Sequence, residues 1–236
     1  MIHGSKATEV EIDAATWPDS DMAWINSPSN PTGRIHSEAE LISCIKYARE
    51  KNSLLVSDEC YINFPAGDMK PLSILKLAAG NNKNLLAVHS LSKRSNLAGY
   101  RAALIVGDTQ VIAEIREVRK HAGMMVPLPV QRAMTVALKD ENHVQEQAER
   151  YRNRRKQLVP ALESAGFKVD YSDAGLYIWC TRNEKDWDSV SWLADLGIVA
   201  TPGSFYGPDG AKHIRIALTA TDLQISDAAA RILSAL

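Results

Sequence analysis

Ser90-Leu91-Ser92-Lys93-Arg94-Ser95-Asn96-Leu97-Ala98-Gly99-Tyr100-Arg101 follows directly on the apolar run Leu85-Leu86-Ala87-Val88, which reads as a buried strand. One lysine stands among hydroxyls, and an arginine comes eight positions later behind a glycine and a tyrosine. A lysine in a loop at a strand's C-terminal end can lose its water, and desolvation favours the neutral amine that attacks aldehydes. Ser90 and Arg101 are the residue types that hold a phosphate, a hydroxyl donor and a permanently charged planar fork. An aldehyde-seeking amine beside a phosphate-holding pair describes pyridoxal phosphate (PLP). Taken alone, the stretch fits a basic surface loop equally well.

Two upstream stretches bear on that choice. Leu54-Leu55-Val56-Ser57-Asp58-Glu59-Cys60-Tyr61 is a second apolar run, ending in acid and phenol. Asn26-Ser27-Pro28-Ser29-Asn30-Pro31-Thr32-Gly33 is a turn-rich loop behind the short run Met22-Ala23-Trp24-Ile25. The chemistry is coherent. PLP draws electrons only while its ring nitrogen stays protonated, and a carboxylate such as Asp58 at a strand's C-terminal end serves that purpose. Glu59 points to the other side of an extended chain and takes no role. By itself Asp58 also reads as the start of a turn, and Asn30 to Gly33 as an ordinary turn.

Asn-Pro-x-Gly (Asn30 to Gly33), Asp-x-x-Tyr (Asp58, Tyr61) and Ser-x-x-Lys followed by Arg (Ser90, Lys93, Arg101) together resemble the class I/II aminotransferases, PLP enzymes of fold type I. The likeness is strongest to the succinyldiaminopimelate aminotransferase type and covers nearly the whole chain. The resemblance implies an α/β architecture with a parallel-rich large domain over 1–142 and a smaller C-terminal α+β domain over 143–236. It implies Lys93 as the anchor of PLP and as proton shuttle, Ser90 and Arg101 at its phosphate, and Tyr61 and Asn30 at its phenolic oxygen. Asn30 and Arg215 are then the substrate-binding pair, with Arg215, in His213-Ile214-Arg215-Ile216-Ala217-Leu218, taking the α-carboxylate. Asn30-Pro31 is a candidate cis peptide. A surface arginine on an edge strand is the plainer reading of Arg215.

By the same resemblance the expected reaction moves an amino group between N-succinyl-diaminopimelate, or a related amino acid, and 2-oxoglutarate, in a homodimer. The family's phosphate loop at a helix N-terminus and its stacking aromatic ring have no counterpart here. Trp17 and Trp24 do not stand where that ring belongs. The chain therefore reads as N-terminally truncated, and a catalytically weak or inactive remnant is one alternative. A PLP-dependent β-lyase is another.

Composition sets outer bounds. Of 236 residues, 45% are hydrophobic, and 27 Lys and Arg balance 28 Asp and Glu, so no charge excess points to nucleic acid. No apolar run approaches the ~20 residues that span a bilayer, and no signal-peptide pattern opens the chain, which points to a cytoplasmic address. Three cysteines, Cys44, Cys60 and Cys180, are widely spaced and odd in number, against a disulfide framework. His3, His36, His89, His121, His143 and His213 form no metal-ligand spacing.

Periodicity fills in the elements. Ala7–Asp13 alternates as a strand, and Ser37-Glu38-Ala39-Glu40 is a capping box opening a helix with an apolar face of Leu41, Ile42, Ile45 and Ala48. Strand, helix and strand in that order predict parallel pairing. Helices are expected over 71–79, 109–121, 130–139, 142–165 and 189–196, and from Thr221, behind a second capping box. Further strands are expected over 102–106, 167–171, 176–180, 198–201 and 213–218. Arg150, Arg152, Arg154, Arg155 and Lys156 read as one solvated helix face.

Overall fold

The computed structural model describes residues 6–236. Met1 to Ser5, and with them His3, lie outside the described residues. The first sheet is built from β1 (Met22–Asn26), β2 (Leu54–Asp58), β3 (Leu85–Ser90) and β4 (Ala103–Gly107), adjacent in that order. β1, β2 and β3 run parallel, and β4 turns back antiparallel on β3. Helix α1 (Glu38–Glu50) makes the first crossover. Its Ser37–Glu40 capping box is formed, and Leu41, Cys44, Ile45 and Ala48 pack on Ile25, Leu55 and Leu85. Ile42, assigned to that face from periodicity, points outward instead, and Cys44 takes its place.

The second crossover holds only one turn, α2 (Ile74–Leu77), shorter than the expected helix over 71–79. Pro71 and Leu72 lie outside the helix, Ser73 caps the turn, and the chain passes Ala79 at φ +52°. α3 (Leu91–Arg94) follows β3 at once, so Lys93 sits on a helical turn rather than in a loop. α4 (Thr109–His121) and α5 (Leu128–Lys139) follow β4. Pro129 falls in the first turn of α5, where a missing N–H costs nothing.

The long helix α6 (Asn142–Ser164) leads to a second, antiparallel sheet. It comprises β5 (Lys168–Val169), β6 (Tyr177–Thr181), β7 (Thr201–Pro202) and β8 (Ile214–Ala217), ordered β5-β6-β8-β7. α7 (Asp186–Asp195) and α8 (Asp222–Ser234) complete this half, and the Thr221–Gln224 capping box is formed. Leu158, Leu162, Ile178, Leu193, Ile214 and Ile225 make its core.

Two expectations fail for a physical reason. Ala7–Asp13 forms no strand: the segment is mostly exposed, only Ile12 packs against the first core, and it pairs with no sheet edge. The arginine run on α6 is not one solvated face. Arg154 is buried, donating to Asp222 Oδ1 at 2.6 Å and to the Leu218 carbonyl at 2.8 Å. Arg155 reaches the Tyr177 carbonyl at 2.9 Å. Both guanidiniums tie α6 to the second sheet while their stems pack beneath.

The two sheets are stitched by the backbone just before β6. Ser172 N–H donates to the Thr32 carbonyl, Ala174 N–H to Gly33, Gly175 N–H to Phe64 and Ala66 N–H to Asp173. Gly33 is required there. Its φ is +71°, and a Cβ at that position would stand 2.6 Å from the Ala174 carbonyl oxygen.

Candidate active site

The C-terminal ends of β1, β2 and β3 open on a cleft of about 290 Å³. Asn30, Asp58, Tyr61, Ser90, Lys93 and Arg101 all line it. Residues separated by up to 71 positions therefore converge because parallel strands present their C-terminal ends on one side.

Asp58 closes β2 opposite Asn26 of β1. Asn26 Nδ2 donates to the Asp58 carbonyl at 3.0 Å, while its Oδ1 accepts the Asn30 N–H at 2.7 Å. One side chain thus fixes both the acid and the loop. Asp58 Oδ1 accepts the Cys60 N–H at 3.1 Å. Both Ser27-Pro28 and Asn30-Pro31 are cis.

Tyr61 is carried back by a turn (Ile62 N–H to Glu59 O) and meets Tyr177 edge-on at 5.5 Å. Burial pushes the Tyr61 phenol up, so it remains a protonated donor at neutral pH. Burial likewise pushes the Cys60 thiol up to about 12, helped by Asp58, which makes it an unreactive wall of the cleft.

Ser90 caps α3, its Oγ accepting the Ser92 N–H at 3.2 Å. Lys93 is exposed, contrary to the desolvated lysine expected from its position after a strand: α3 turns it to the open side of the cleft. Its neighbour Arg94 is buried and fixes that turn, donating to the Ala137 carbonyl at 2.8 Å and to Glu141 Oε1 at 2.5 Å. A short 3-10 turn, Ala98–Tyr100, brings Arg101 round, where it holds φ +52° and donates to the Ala98 carbonyl.

Arg215 lies on β8, an inner strand between β6 and β7, so the edge-strand reading fails. Its guanidinium stands 4.9 Å from the ring centres of both Tyr177 and Tyr206. Nη1 donates to Asn30 Oδ1 at 2.9 Å, joining the two proposed substrate residues across the two sheets. Nε is buried and has no hydrogen-bond partner among the described residues.

Sequence reading left Asn26, Ser92, Tyr177, Tyr206 and Arg94 without roles. Asn26 opens the quoted turn motif and Arg94 follows Lys93, so both stood in view. The tyrosines gain a role only when the second sheet forms and brings their rings against Arg215. No cluster of three or more His, Cys, Asp or Glu able to hold a metal occurs among the described residues. No helix there is long and apolar enough to cross a membrane.

An amine, a carboxylate, a phenol and two anion-binding side chains on one cleft fit the donor set of PLP: something for its aldehyde, its ring nitrogen, its phenolic oxygen and its phosphate. That cleft, at the C-terminal edge of a parallel-rich α/β sheet, defines a PLP-dependent transferase of fold type I. Comparison with known proteins agrees. The family model described as aminotransferase class I and II matches residues 6–232. The "probable aminotransferase" of Mycobacterium tuberculosis is 54% identical over 213 residues, 89% of this chain and 51% of that protein. The 4-dedimethylamino-4-oxo-anhydrotetracycline transaminase of Streptomyces rimosus is 53% identical, covering 89% of this chain and 59% of its own. A solved structure described as a probable N-succinyldiaminopimelate aminotransferase from Thermus thermophilus superposes with a TM-score of 0.82 at 27% identity, over 92% of this chain and 59% of that one. The chain belongs to the class I and II aminotransferase family, whose members depend on PLP. It spans between half and three-fifths of the length of these relatives.

Proposed function

We propose that this chain carries the lysine-bearing part of an aminotransferase site that moves an amino group between an amino acid and a 2-oxo acid. The observation that carries the reading is the Arg215–Asn30 hydrogen bond, which joins a guanidinium fork suited to a carboxylate to a residue of the Lys93 cleft. Bound PLP supplies an aldehyde that captures amines and a protonated ring that withdraws electrons from the substrate's α-carbon. Asp58 holds the proton on the ring nitrogen. Tyr61 donates to the phenolic oxygen. Because Asn30 Oδ1 is taken by Arg215, its amide nitrogen is the group left to donate and would meet the same oxygen. Ser90 and Arg101 hold the phosphate. Lys93 would hold the cofactor through its aldehyde, and its amine is the group available to move the proton at the substrate's α-carbon. Arg215 orients the substrate through its carboxylate.

For the amino donor, N-succinyl-diaminopimelate draws support from the likeness to the Thermus thermophilus structure, with 2-oxoglutarate as acceptor. The Streptomyces rimosus relative, with the higher identity, favours a second reading in which a bulky ring ketone accepts the amino group. The family's usual two-fold assembly supports a homodimer as the working form.

The test has two parts. Borohydride reduction in the presence of PLP should fix cofactor to the wild-type chain and leave Lys93→Ala unlabelled, because the link needs that amine. Nitrogen transfer to 2-oxoglutarate is then measured across a panel of amino donors. Labelling that persists in Lys93→Ala removes the anchor role, and release of free ammonia with an oxo acid makes the protein a lyase.

A further inference from the structure

The face of the first sheet turned away from the cleft carries an ionisable pair, a buried Glu59 and a half-buried His89, that the proposed chemistry does not use. Glu59 follows Asp58 and His89 precedes Ser90. Successive side chains in a strand point to opposite faces, so both lie beneath the residues that face the cleft. Glu59 is 1% exposed. Its Oε1 accepts the Ile74 N–H at 3.0 Å, at the start of α2, and its Oε2 faces His89 Nε2 at 3.4 Å. Oε2 has no hydrogen-bond partner among the described residues, and neither does the Ser57 hydroxyl on the same face. A buried carboxyl is costly unless partnered. Burial pushes the Glu59 carboxyl up, against lowering contributions from Ile74, Ser73, His89 and Ser57.

The backbone around this pair makes the bonds that hold the cleft's rim. Glu59 N–H donates to the Val88 carbonyl at 2.9 Å, and Ser27 N–H to the Asp58 carbonyl at 3.1 Å. Glu59 therefore fastens β2 to β3 and α2 at the point where the chain leaves the sheet for Tyr61.

We propose that Glu59 and His89 are positioning residues for the cofactor cleft: joined across the under-face of the sheet, they hold the ends of β2 and β3 so that Asp58 and Ser90 aim into it. The proposal rests on reading the cleft as a PLP site. A pair that only filled space would be replaceable by leucine. A positioning pair needs its hydrogen bonds.

Glu59→Leu keeps bulk and removes both the bond from Ile74 and the contact with His89. Glu59→Gln keeps an acceptor for Ile74 and offers an N–H to His89. Amide exchange is measured on the full chain without cofactor, and PLP affinity by absorbance titration. In Glu59→Leu the amides of residues 27 and 59 should exchange roughly tenfold faster while α8 keeps its protection. The PLP dissociation constant should rise by roughly tenfold, and Glu59→Gln should stay within about threefold of wild type on both readings. If Glu59→Leu does not fold, His89→Leu carries the same measurements. Native exchange in the leucine variant overturns the proposal. Faster exchange with unchanged PLP affinity overturns its link to the cleft, and equal losses in Gln and Leu overturn the hydrogen-bond argument. A wild-type chain that protects residues 27 and 59 but takes up no PLP overturns the functional reading and, with it, the link to a cofactor.

Discussion

Arg215 and Asn30 are 185 positions apart in the chain, yet one hydrogen bond joins them, and the proposed substrate role rests on that contact. The two tyrosine rings hold the guanidinium plane, which leaves donors on one edge for a carboxylate. A lysine in its place keeps the charge but loses both the fork and the stacking. Arg215→Lys should therefore weaken amino-acid binding by ~1.5–3 kcal/mol, the worth of a charge-assisted hydrogen bond, without altering PLP uptake. Titrating PLP-loaded protein with amino acids and following the cofactor's absorbance checks this; unchanged affinity for every amino acid removes Arg215 from the site. The cysteines make a contrasting case. Burial pushes Cys44, Cys60 and Cys180 each up to about 12. Near pH 8 each then carries roughly a thousandfold less thiolate than a free thiol of pKa ~8.5. Native protein should react with Ellman's reagent far more slowly than urea-unfolded protein, including at Cys60 on the cleft. Rapid native labelling of Cys60 would show an ionised thiol there.

At the scale of elements, the loop between β1 and α1 is held by the segment before β6, and Gly33 is the point of closest approach. Alanine at that position is strained by a left-handed backbone and collides with the Ala174 carbonyl. Gly33→Ala should cost ~1–3 kcal/mol and lower the melting temperature, whereas Gly67→Ala, with open space around its Cβ, should change little. Equal melting of the two variants would mean that this seam contributes nothing. The helices show how far periodicity reaches. α1 has an apolar stripe and a sheet beneath it, and the stripe is buried. α4 has an equally regular stripe of Val111, Ile112, Ile115 and Val118, but none of its residues is buried and Val118 is 67% exposed. Amphipathicity states which side of a helix seeks cover. It does not supply the cover.

For the molecule as a whole, both outer strands of the first sheet present apolar side chains to solvent. Trp24 on β1 is 58% exposed, and Ile105 and Val106 on β4 are 38% and 42% exposed. Neither strand has a partner on its outer edge among the described residues. Unpaired edges with apolar neighbours favour association. The isolated chain should sediment as a concentration-dependent mixture, and Ile105→Lys together with Trp24→Lys should shift it toward monomer. A single monomeric species at all concentrations, before substitution, contradicts this. The homodimer proposed for the working form is a separate question, answered by the same measurement on PLP-loaded protein.

Local chemistry was legible in the sequence. The three motifs named six of the residues that line the cleft, both capping boxes formed as read, and the βαβ order gave the parallel strands, because caps, turns and strand periods depend on neighbours within a few positions. Contacts between distant segments were not legible. An arginine run looks the same whether it meets water or, like Arg154, a carbonyl just past β8 and a carboxylate at the start of α8. Ala7–Asp13 alternates like a strand, but a strand needs an edge to bond. Lys93 is exposed because a turn of helix, latched through Arg94, points it outward. Sequence determined which groups the site contains, since their types and order are covalent facts. Tertiary structure alone decided which of them touch, because burial and pairing are set by whichever segment arrives on the other side.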